Sequence, residues 1–366
     1  MGPELRVVIA GGGTGGHLYP GIAVARELLA RRAGAIVTFA GTAKGLEARV
    51  VPREGFALDT IRSGGLKGKS VLHRAKGAGL IPLGLLDAWA LVSRRRPQVV
   101  LGVGGYSSGP VVLMAAVRRI PTLLLEQNAV PGLTNRLLSR VVRAAAVSYE
   151  STRSFFGSKA FVSGNPVRAE FFDEGTSRHD DQDADARGVR VLIFGGSQGA
   201  HAINQAMVSA APLLATAGIP LRITHQTGER DLDMVKAGYA AAGLGAEVEP
   251  FLYDMGARLK SADLVVCRAG ATTLAELAAA GKPSVLIPLP TATDDHQRRN
   301  AEELASAGAA EMLLQADASG AGLAMRITTL AKDAGARRRM GAAARAMARP
   351  DAAKVIVDRV LELAGR

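Results

Sequence analysis

An apolar strand that runs straight into glycine occurs twice in this chain, and few folds accommodate both copies. The first copy is Leu5-Arg6-Val7-Val8-Ile9-Ala10, followed by Gly11-Gly12-Gly13-Thr14-Gly15-Gly16-His17. The second is Val189 to Phe194, followed by Gly195-Gly196-Ser197-Gln198-Gly199-Ala200. A helical pattern follows each, one opening at Pro20 with Ile22, Ala23, Ala25, Leu28 and Leu29, the other from Ile203. Strand, glycine turn and helix together point backbone N–H groups and a positive helix end at an anion. Glycine is needed because a side chain would keep the backbone away from a phosphate. Gly11-x-Gly13-x-x-Gly16 also spells the dinucleotide fingerprint. The motif alone fits a dinucleotide loop, a loop for another phosphate-bearing ligand, or a tight turn.

The pattern between the copies narrows this. Strands are expected at 5–10, 35–40, 98–103, 121–125 and 143–148, with helices at 20–32, 75–94, 108–118 and 133–140. Alternation of this kind gives a parallel, doubly wound sheet, whose ligands bind beyond the carboxyl ends of its strands. Gly104-Gly105-Tyr106-Ser107-Ser108-Gly109-Pro110 and Glu126-Gln127-Asn128 would share that edge with the first glycine loop. A dinucleotide site further needs an acid at the end of the second strand, for the ribose hydroxyls. That strand ends Ala40-Gly41-Thr42, and Glu47 comes several residues too late, which argues against NAD.

The charge is uneven. Residues 1–168 hold 23 Lys and Arg against 8 Asp and Glu, net +15; the rest hold 22 against 25, net −3. The first half therefore suits an anionic partner. Nucleic acid is not expected, since aromatic residues are only 4% and no reader fold is visible. Residues 62–96 place Leu80, Ile81, Leu83, Leu85, Leu86 and Trp89 between Arg62, Lys67, Lys69, Arg74, Lys76 and Arg94-Arg95-Arg96. That composition fits an interfacial membrane contact, or equally a buried helix with solvated ends. No run of 18 apolar residues and no apolar leader occurs, so neither a spanning helix nor a secretory signal is expected. The one cysteine, Cys267, and the absence of Cys/His spacing point away from disulfides and zinc.

Ser163-Gly164-Asn165-Pro166-Val167-Arg168 breaks regular structure where the charge balance changes, and marks a domain junction. The acidic stretch 173–188 reads as a solvated loop, having no apolar framework to hold a metal. Later strands fit 219–225, 246–250, 263–267 and 284–288, so the second half repeats the first, and a ligand cleft between the halves is expected. After the strand 263–267, Arg268-Ala269-Gly270-Ala271-Thr272-Thr273 opens a helix with N–H groups and hydroxyls suited to a diphosphate. Glu276, one turn on, suits a ribose diol. Gln297 and Asn300 share a helix face and offer amides to sugar hydroxyls. Residues 323–366 are helical, with Pro350 setting off a last helix at 351–364.

Gly12–His17, Gly104–Pro110, Glu126–Asn128, Gly164–Arg168, Gly195–Ala200, Arg268-x-Gly270-Ala271-x-Thr273 with Glu276, and Asp295-His296-Gln297-x-x-Asn300-Ala301 occur in that order. Together, and over nearly the whole chain, they resemble the MurG family, the bacterial UDP-N-acetylglucosamine:lipid I N-acetylglucosaminyltransferases. The resemblance implies an α/β chain of GT-B fold, two Rossmann-like doubly wound domains facing a cleft. Residues 1–166 would be the acceptor- and membrane-facing domain and 167–345 the UDP-sugar domain. Residues 346–366 would form a terminal helix packed back on the first domain. It implies metal-independent, inverting transfer of GlcNAc from UDP-GlcNAc to the MurNAc 4-hydroxyl of lipid I, giving lipid II, without a cofactor. The expected place is the cytoplasmic face of the cell membrane, with an anionic membrane surface and other cell-wall synthesis proteins as partners.

The resemblance also implies roles. Ser197 and the helix after it hold the diphosphate, with Ala271 and Thr272 at the second helix start. Arg168 and Thr273 support the nucleotide, Glu276 takes the ribose, and the backbone of Leu252 meets the uracil. Gln297 and Asn300 take the sugar. Thr14, Gly15, Gly16 and Asn128 line the cleft from the first domain. Segment 62–96 matches the membrane-association region, whereas the insert 173–188 has no counterpart in the family pattern. His17 is the candidate general base, since an imidazole of ordinary pKa, about 6.5, suits the task. The first glycine loop is expected to meet the acceptor's pyrophosphate. Competing readings are a related GT-B transferase on another lipid, a UDP-GlcNAc 2-epimerase, and a non-catalytic binder of nucleotide sugars.

Overall fold

A computed structural model describes residues 4–64, 71–172, 188–196 and 198–365, with the backbone alone at 71–78. The chain divides into two compact units, one of 1–167 with 349–366, the other of 168–348.

The first unit is built on seven described strands: β1 (Arg6–Gly11), β2 (Ile36–Gly41), β3 (Ala57–Thr60), β4 (Val99–Gly104), β5 (Thr122–Glu126), β6 (Ala144–Val147) and β7 (Ala160–Val162). They pair in the order β3-β2-β1-β4-β5-β6-β7, all parallel. Alternation along β1 explains why it reads as unbroken apolar sequence. Val7 and Ile9 enter one core layer, with Leu18, Ile22 and Leu28 of the helix Gly15–Arg31. Val8 and Ala10 enter the other, with Leu91 and Val92 of the helix Val71–Arg95 and Val111 and Val112 of the helix Ser108–Val117. A strand covered on both faces has no polar side to alternate with. The last helix, Ala352–Leu363, adds Ile356, Val357 and Val360 to the first of these layers.

The second unit repeats the plan with β8 (Val189–Phe194), β9 (Leu221–Gln226), β10 (Ala246–Glu249), β11 (Leu264–Cys267), β12 (Ser284–Leu286) and β13 (Glu311–Met312), paired β10-β9-β8-β11-β12-β13 and parallel. Strand order reverses between β1 and β4 in one sheet and between β8 and β11 in the other. Those switch points are where an open α/β sheet binds ligands. Each is flanked by two glycine-bearing motifs: 11–17 and 104–110 in the first unit, 195–200 and 268–273 in the second.

Two expectations change. The first helix begins at Gly15, not Pro20, with Thr14 extended as its N-cap and Pro20 inside it. Gly15, Gly16 and His17 are thus its first turn, and the glycine loop is only Gly11 to Thr14. Strands β3, β7 and β13 and the helices Glu47–Arg53 and Glu150–Phe156 were not anticipated, being of two to seven residues and too short to show a period. Among the described residues, no helix is long and apolar enough to cross a membrane.

Candidate active site

In the first unit the site is assembled at the carboxyl edge by β1, β4 and β5. Thr14 ends the glycine loop. Its carbonyl accepts the N–H groups of His17 and Leu18 at 3.3 and 3.2 Å, and its Oγ1 lies 3.2 Å from His17 Nδ1. The ring packs over the end of β4, where a Cβ on Gly104 would stand 2.7 Å from His17 Cδ2. Gly104 has φ +98°, so both backbone and space require glycine there. His17 is therefore oriented on two sides, by Thr14 and by Gly104.

Asn128 is held by a carboxylate to which the sequence assigned no role. Glu126, 1% exposed at the end of β5, accepts from Asn128 N at 3.0 Å and Asn128 Nδ2 at 3.2 Å through Oε1. Its Oε2 accepts from Gly132 N at 2.9 Å and Asn135 Nδ2 at 2.8 Å. Burial pushes the Glu126 carboxyl above its ordinary range, against the pull of these four donors. Gln127 Nε2 donates to Val103 O at 2.9 Å and ties the loop to β4. The Glu-Gln-Asn run thus has one residue presenting and two fastening.

The second unit carries the other glycine loop. Ser197 lies outside the described residues, as does the stretch 173–187 of the acidic insert. The rest of the loop is fixed by β9 and by Thr227 just after it. Gln226 Nε2 donates to Gly196 O at 2.9 Å, and Gly199 N donates to Gly196 O at 2.9 Å. Gly199 has φ +72° and abuts the Thr227 carbonyl so closely that no Cβ fits. The helix His201–Ala215 starts directly after the loop.

After β11, Gly270 is an extended N-cap, and Ala271, Thr272 and Thr273 form the first turn of the helix Ala271–Ala280. Glu276 is half-buried on it, and burial pushes its carboxyl up to about 7, with Arg168 pulling down and Glu170 pushing up. Arg168 pairs with Glu170 at 3.0 Å and lies over the Phe171 ring at 5.0 Å. The structure thus brings Arg168 and Glu276, far apart in sequence, within electrostatic reach. Arg268 is a fastener: nearly buried, it donates to Ile287 O, Pro288 O and Gln315 Oε1 at 3.0, 3.2 and 2.7 Å. Leu252 buries its side chain between exposed Phe251 and Tyr253.

Gln297 and Asn300 separate in burial. Gln297 is half-buried, and its Oε1 accepts Leu289 N at 3.0 Å. Asn300 is fully buried, its Nδ2 donating to Ala269 O at 3.3 Å. With no exposed surface, the Asn300 side chain braces the 268–273 loop from behind. The two residues share a helix face, and one edge of that face is in the core. Just before Gln297, Asp294 and Asp295 both sit at φ +55°, a costly conformation for non-glycine residues that concentrates at functional sites. Among the described residues, no group of three His, Cys, Asp or Glu is placed to hold a metal.

Residues 7–147 match the glycosyltransferase family 28 N-terminal domain, and residues 190–356 the glycosyltransferase family 28 C-terminal domain. The chain is 48% identical to the UDP-N-acetylglucosamine--N-acetylmuramyl-(pentapeptide) pyrophosphoryl-undecaprenol N-acetylglucosamine transferase of Pelobacter propionicus, over 98% of this chain and 99% of that one. Among solved structures it is similar to Acinetobacter baumannii MurG, with a TM-score of 0.80 and 33% identity, covering 98% and 99% of the two chains. The fold is also that of a UDP-GlcNAc 2-epimerase from Neisseria meningitidis, with a TM-score of 0.69 at 15% identity over 98% of this chain and all of the other.

Proposed function

Because the chain belongs to glycosyltransferase family 28, with both of its domains matched in order, we propose that it transfers GlcNAc from UDP-GlcNAc to the MurNAc 4-hydroxyl of lipid I, giving lipid II. The full-length 48% identity to a transferase of that name carries this reading. Epimerases share the fold at 15% identity, and likeness of that order carries fold alone.

The second unit takes the donor. The starts of the helices His201–Ala215 and Ala271–Ala280 lie at the ends of β8 and β11, the two strands flanking its switch point. Both can direct positive helix ends at the diphosphate, and so stabilise UDP as it leaves. Ser197 and Thr273 add hydroxyls, Arg168 a positive charge, Glu276 a carboxylate for the ribose, the Leu252 backbone a contact for uracil, and Gln297 Nε2 a donor for the sugar. In the first unit His17 takes the proton of the attacking hydroxyl, and Thr14, Gly15, Gly16 and Asn128 position the acceptor. Displacement at the anomeric carbon then inverts its configuration. The donor domain is the unit 168–348, and the acceptor domain is the unit 1–167 with 349–366. Incubation with UDP-[¹⁴C]GlcNAc and a short-chain lipid I analogue tests the function. Label in a lipid-linked disaccharide supports it; free GlcNAc, ManNAc or no turnover overturns it.

The enzyme meets its lipid as a peripheral protein on the cytoplasmic face. The helix Val71–Arg95 is compatible with both readings of its sequence. It buries Ala88, Leu91 and Val92, yet leaves Leu86 64% and Trp89 48% exposed, with Ile81 and Leu83 also exposed. Beside it an apolar hollow of about 230 Å³ is lined by Leu80, Ile81, Leu85, Pro110 and Leu137. Some of the flanking cations are already paired, Arg62 with Asp87 and both Arg94 and Arg95 with Asp59. Lys67 and Lys69, with the side chains of Arg74 and Lys76, lie outside the described residues; on the described ones, this reading gives apolar insertion the larger share of binding. Leu86→Ser with Trp89→Ser should weaken sedimentation with vesicles by about tenfold or more, as the loss of two inserted side chains implies. Raising salt to about 0.5 M, where surface charges are screened beyond a few ångströms, should cost the unmodified protein less than that. The opposite ranking would make the contact electrostatic.

A further inference from the structure

One carboxylate lies beneath the first glycine loop. Glu47, which opens the helix Glu47–Arg53, is fully buried. Its Oε2 accepts the Gly13 N–H at 2.8 Å, and its Oε1 accepts the Thr42 N–H at 2.8 Å and the Thr42 hydroxyl at 2.7 Å. Three glycines enclose it. A Cβ on Gly41 would stand 2.5 Å from Glu47 Cγ, and one on Gly12 or Gly45 would collide with the carboxylate itself. Burial pushes its pKa up, but the backbone donors of Gly13, Thr42 and Glu47 outweigh this and hold it below the usual carboxylate range. The group is an anion at neutral pH. A glycine loop at the end of the first strand ordinarily offers such N–H groups to a ligand's phosphate. Here the Gly13 N–H is given to the protein's own side chain.

We infer that Glu47 fills the anion seat of the first glycine loop and is a positioning residue for His17, so that this loop meets the acceptor's neutral hydroxyl and not its pyrophosphate. The inference rests on the reading of His17 as the base. The linkage is short. Gly13 precedes Thr14, and Thr14 orients His17 through its Oγ1 and its carbonyl. Anchoring the Gly13 peptide fixes the direction in which Thr14 leaves the loop. A pyrophosphate brought to the same loop would face a buried like charge at short range, in a medium that screens it poorly.

The test measures initial rates of the full-length chain with UDP-GlcNAc and a short-chain lipid I analogue, for Glu47→Gln, His17→Ala and the double variant. Thr42→Val, which removes one donor to Glu47 and leaves the loop's sequence intact, serves if Glu47→Gln does not fold. Expected for Glu47→Gln is a fall in kcat of about 10- to 100-fold, with KM for both substrates within about twofold, and less than about threefold further loss when His17 is already Ala. Thr42→Val should show about a two- to fivefold loss of kcat that also disappears in the His17→Ala background. Equal losses with and without His17 would overturn the positioning role while leaving His17 as base. A fall in acceptor KM of about fivefold or more on removing the charge would show that the loop faces the pyrophosphate, and overturns the inference. A His17→Ala enzyme of near-normal kcat overturns the base and the inference with it.

Discussion

His17→Ala is expected to lower turnover of a lipid I analogue by about 10²–10⁴-fold, the usual contribution of a general base, while UDP-GlcNAc binding in the absence of acceptor stays within about twofold. The separation follows from placement. His17 stands in the first unit at the end of β1, against Thr14 and Gly104, whereas every residue proposed to hold the donor belongs to the second unit. A loss of this size corresponds to about 3–5 kcal/mol of transition-state stabilisation, too much for a single neutral hydrogen bond to the acceptor. His17→Asn discriminates further, because an amide can still bond a hydroxyl but cannot take its proton. Asn should be nearly as poor as Ala in kcat. A loss below about tenfold with donor binding intact would remove His17 from the role.

How far this site was legible in the sequence depended on whether a residue acts through backbone or through a distant partner. The strands β1, β4, β5, β8 and β11 were legible because burial on both faces leaves an unmixed apolar signal, and the glycine turns after β1, β4 and β8 because positive φ and close backbone approach there admit little else. The start of the first helix was not. Gly15 and Gly16 are poor helix formers, Pro20 is a familiar first-turn residue, and the packing of Leu18 and Ile22 against the sheet overrode both. Fasteners were less legible still. Glu47 came too late after the second strand for a ribose ligand, Glu126 read as part of a motif, and nothing in the sequence marked Asn300 as buried. Each is defined by partners that only the fold brings together: Gly13 for Glu47, Asn135 for Glu126, Ala269 for Asn300. Periodicity can say that a side chain faces inward; it cannot say which amide waits there.

Glu276 carries the second large effect, and it runs in opposite directions for binding and stability. Its carboxyl is raised to about 7 by burial, with Arg168 opposing and Glu170 adding to the shift. Only the carboxylate can accept from both ribose hydroxyls. Binding of UDP-GlcNAc should therefore be flat above about pH 7 and weaken by up to about tenfold per unit below it, as protonation of one required group dictates. Glu276→Ala should raise the UDP-GlcNAc dissociation constant by about 10²–10³-fold, the worth of two hydrogen bonds to a charged group, and abolish the pH dependence. Stability works the other way. A carboxyl whose folded pKa lies above its unfolded value favours folding while protonated, and that advantage is lost as pH rises from the ordinary value through about 7. Holding the charge in the ligand-free protein at about pH 8 then costs about 2 kcal/mol, allowing for partial exposure. Glu276→Gln, which keeps the shape and removes the charge, should melt above the unmodified enzyme at about pH 8 and alongside it at about pH 4.5, while binding donor poorly at both. Titration calorimetry and thermal melts measure the two arms. If Glu276→Gln binds UDP-GlcNAc normally, the ribose is held elsewhere. If the melts do not diverge between the two pH values, the carboxyl is not strained by its surroundings. Should both arms come out as expected, the free enzyme keeps a destabilised anion in place for the ribose, and a bound donor relieves it.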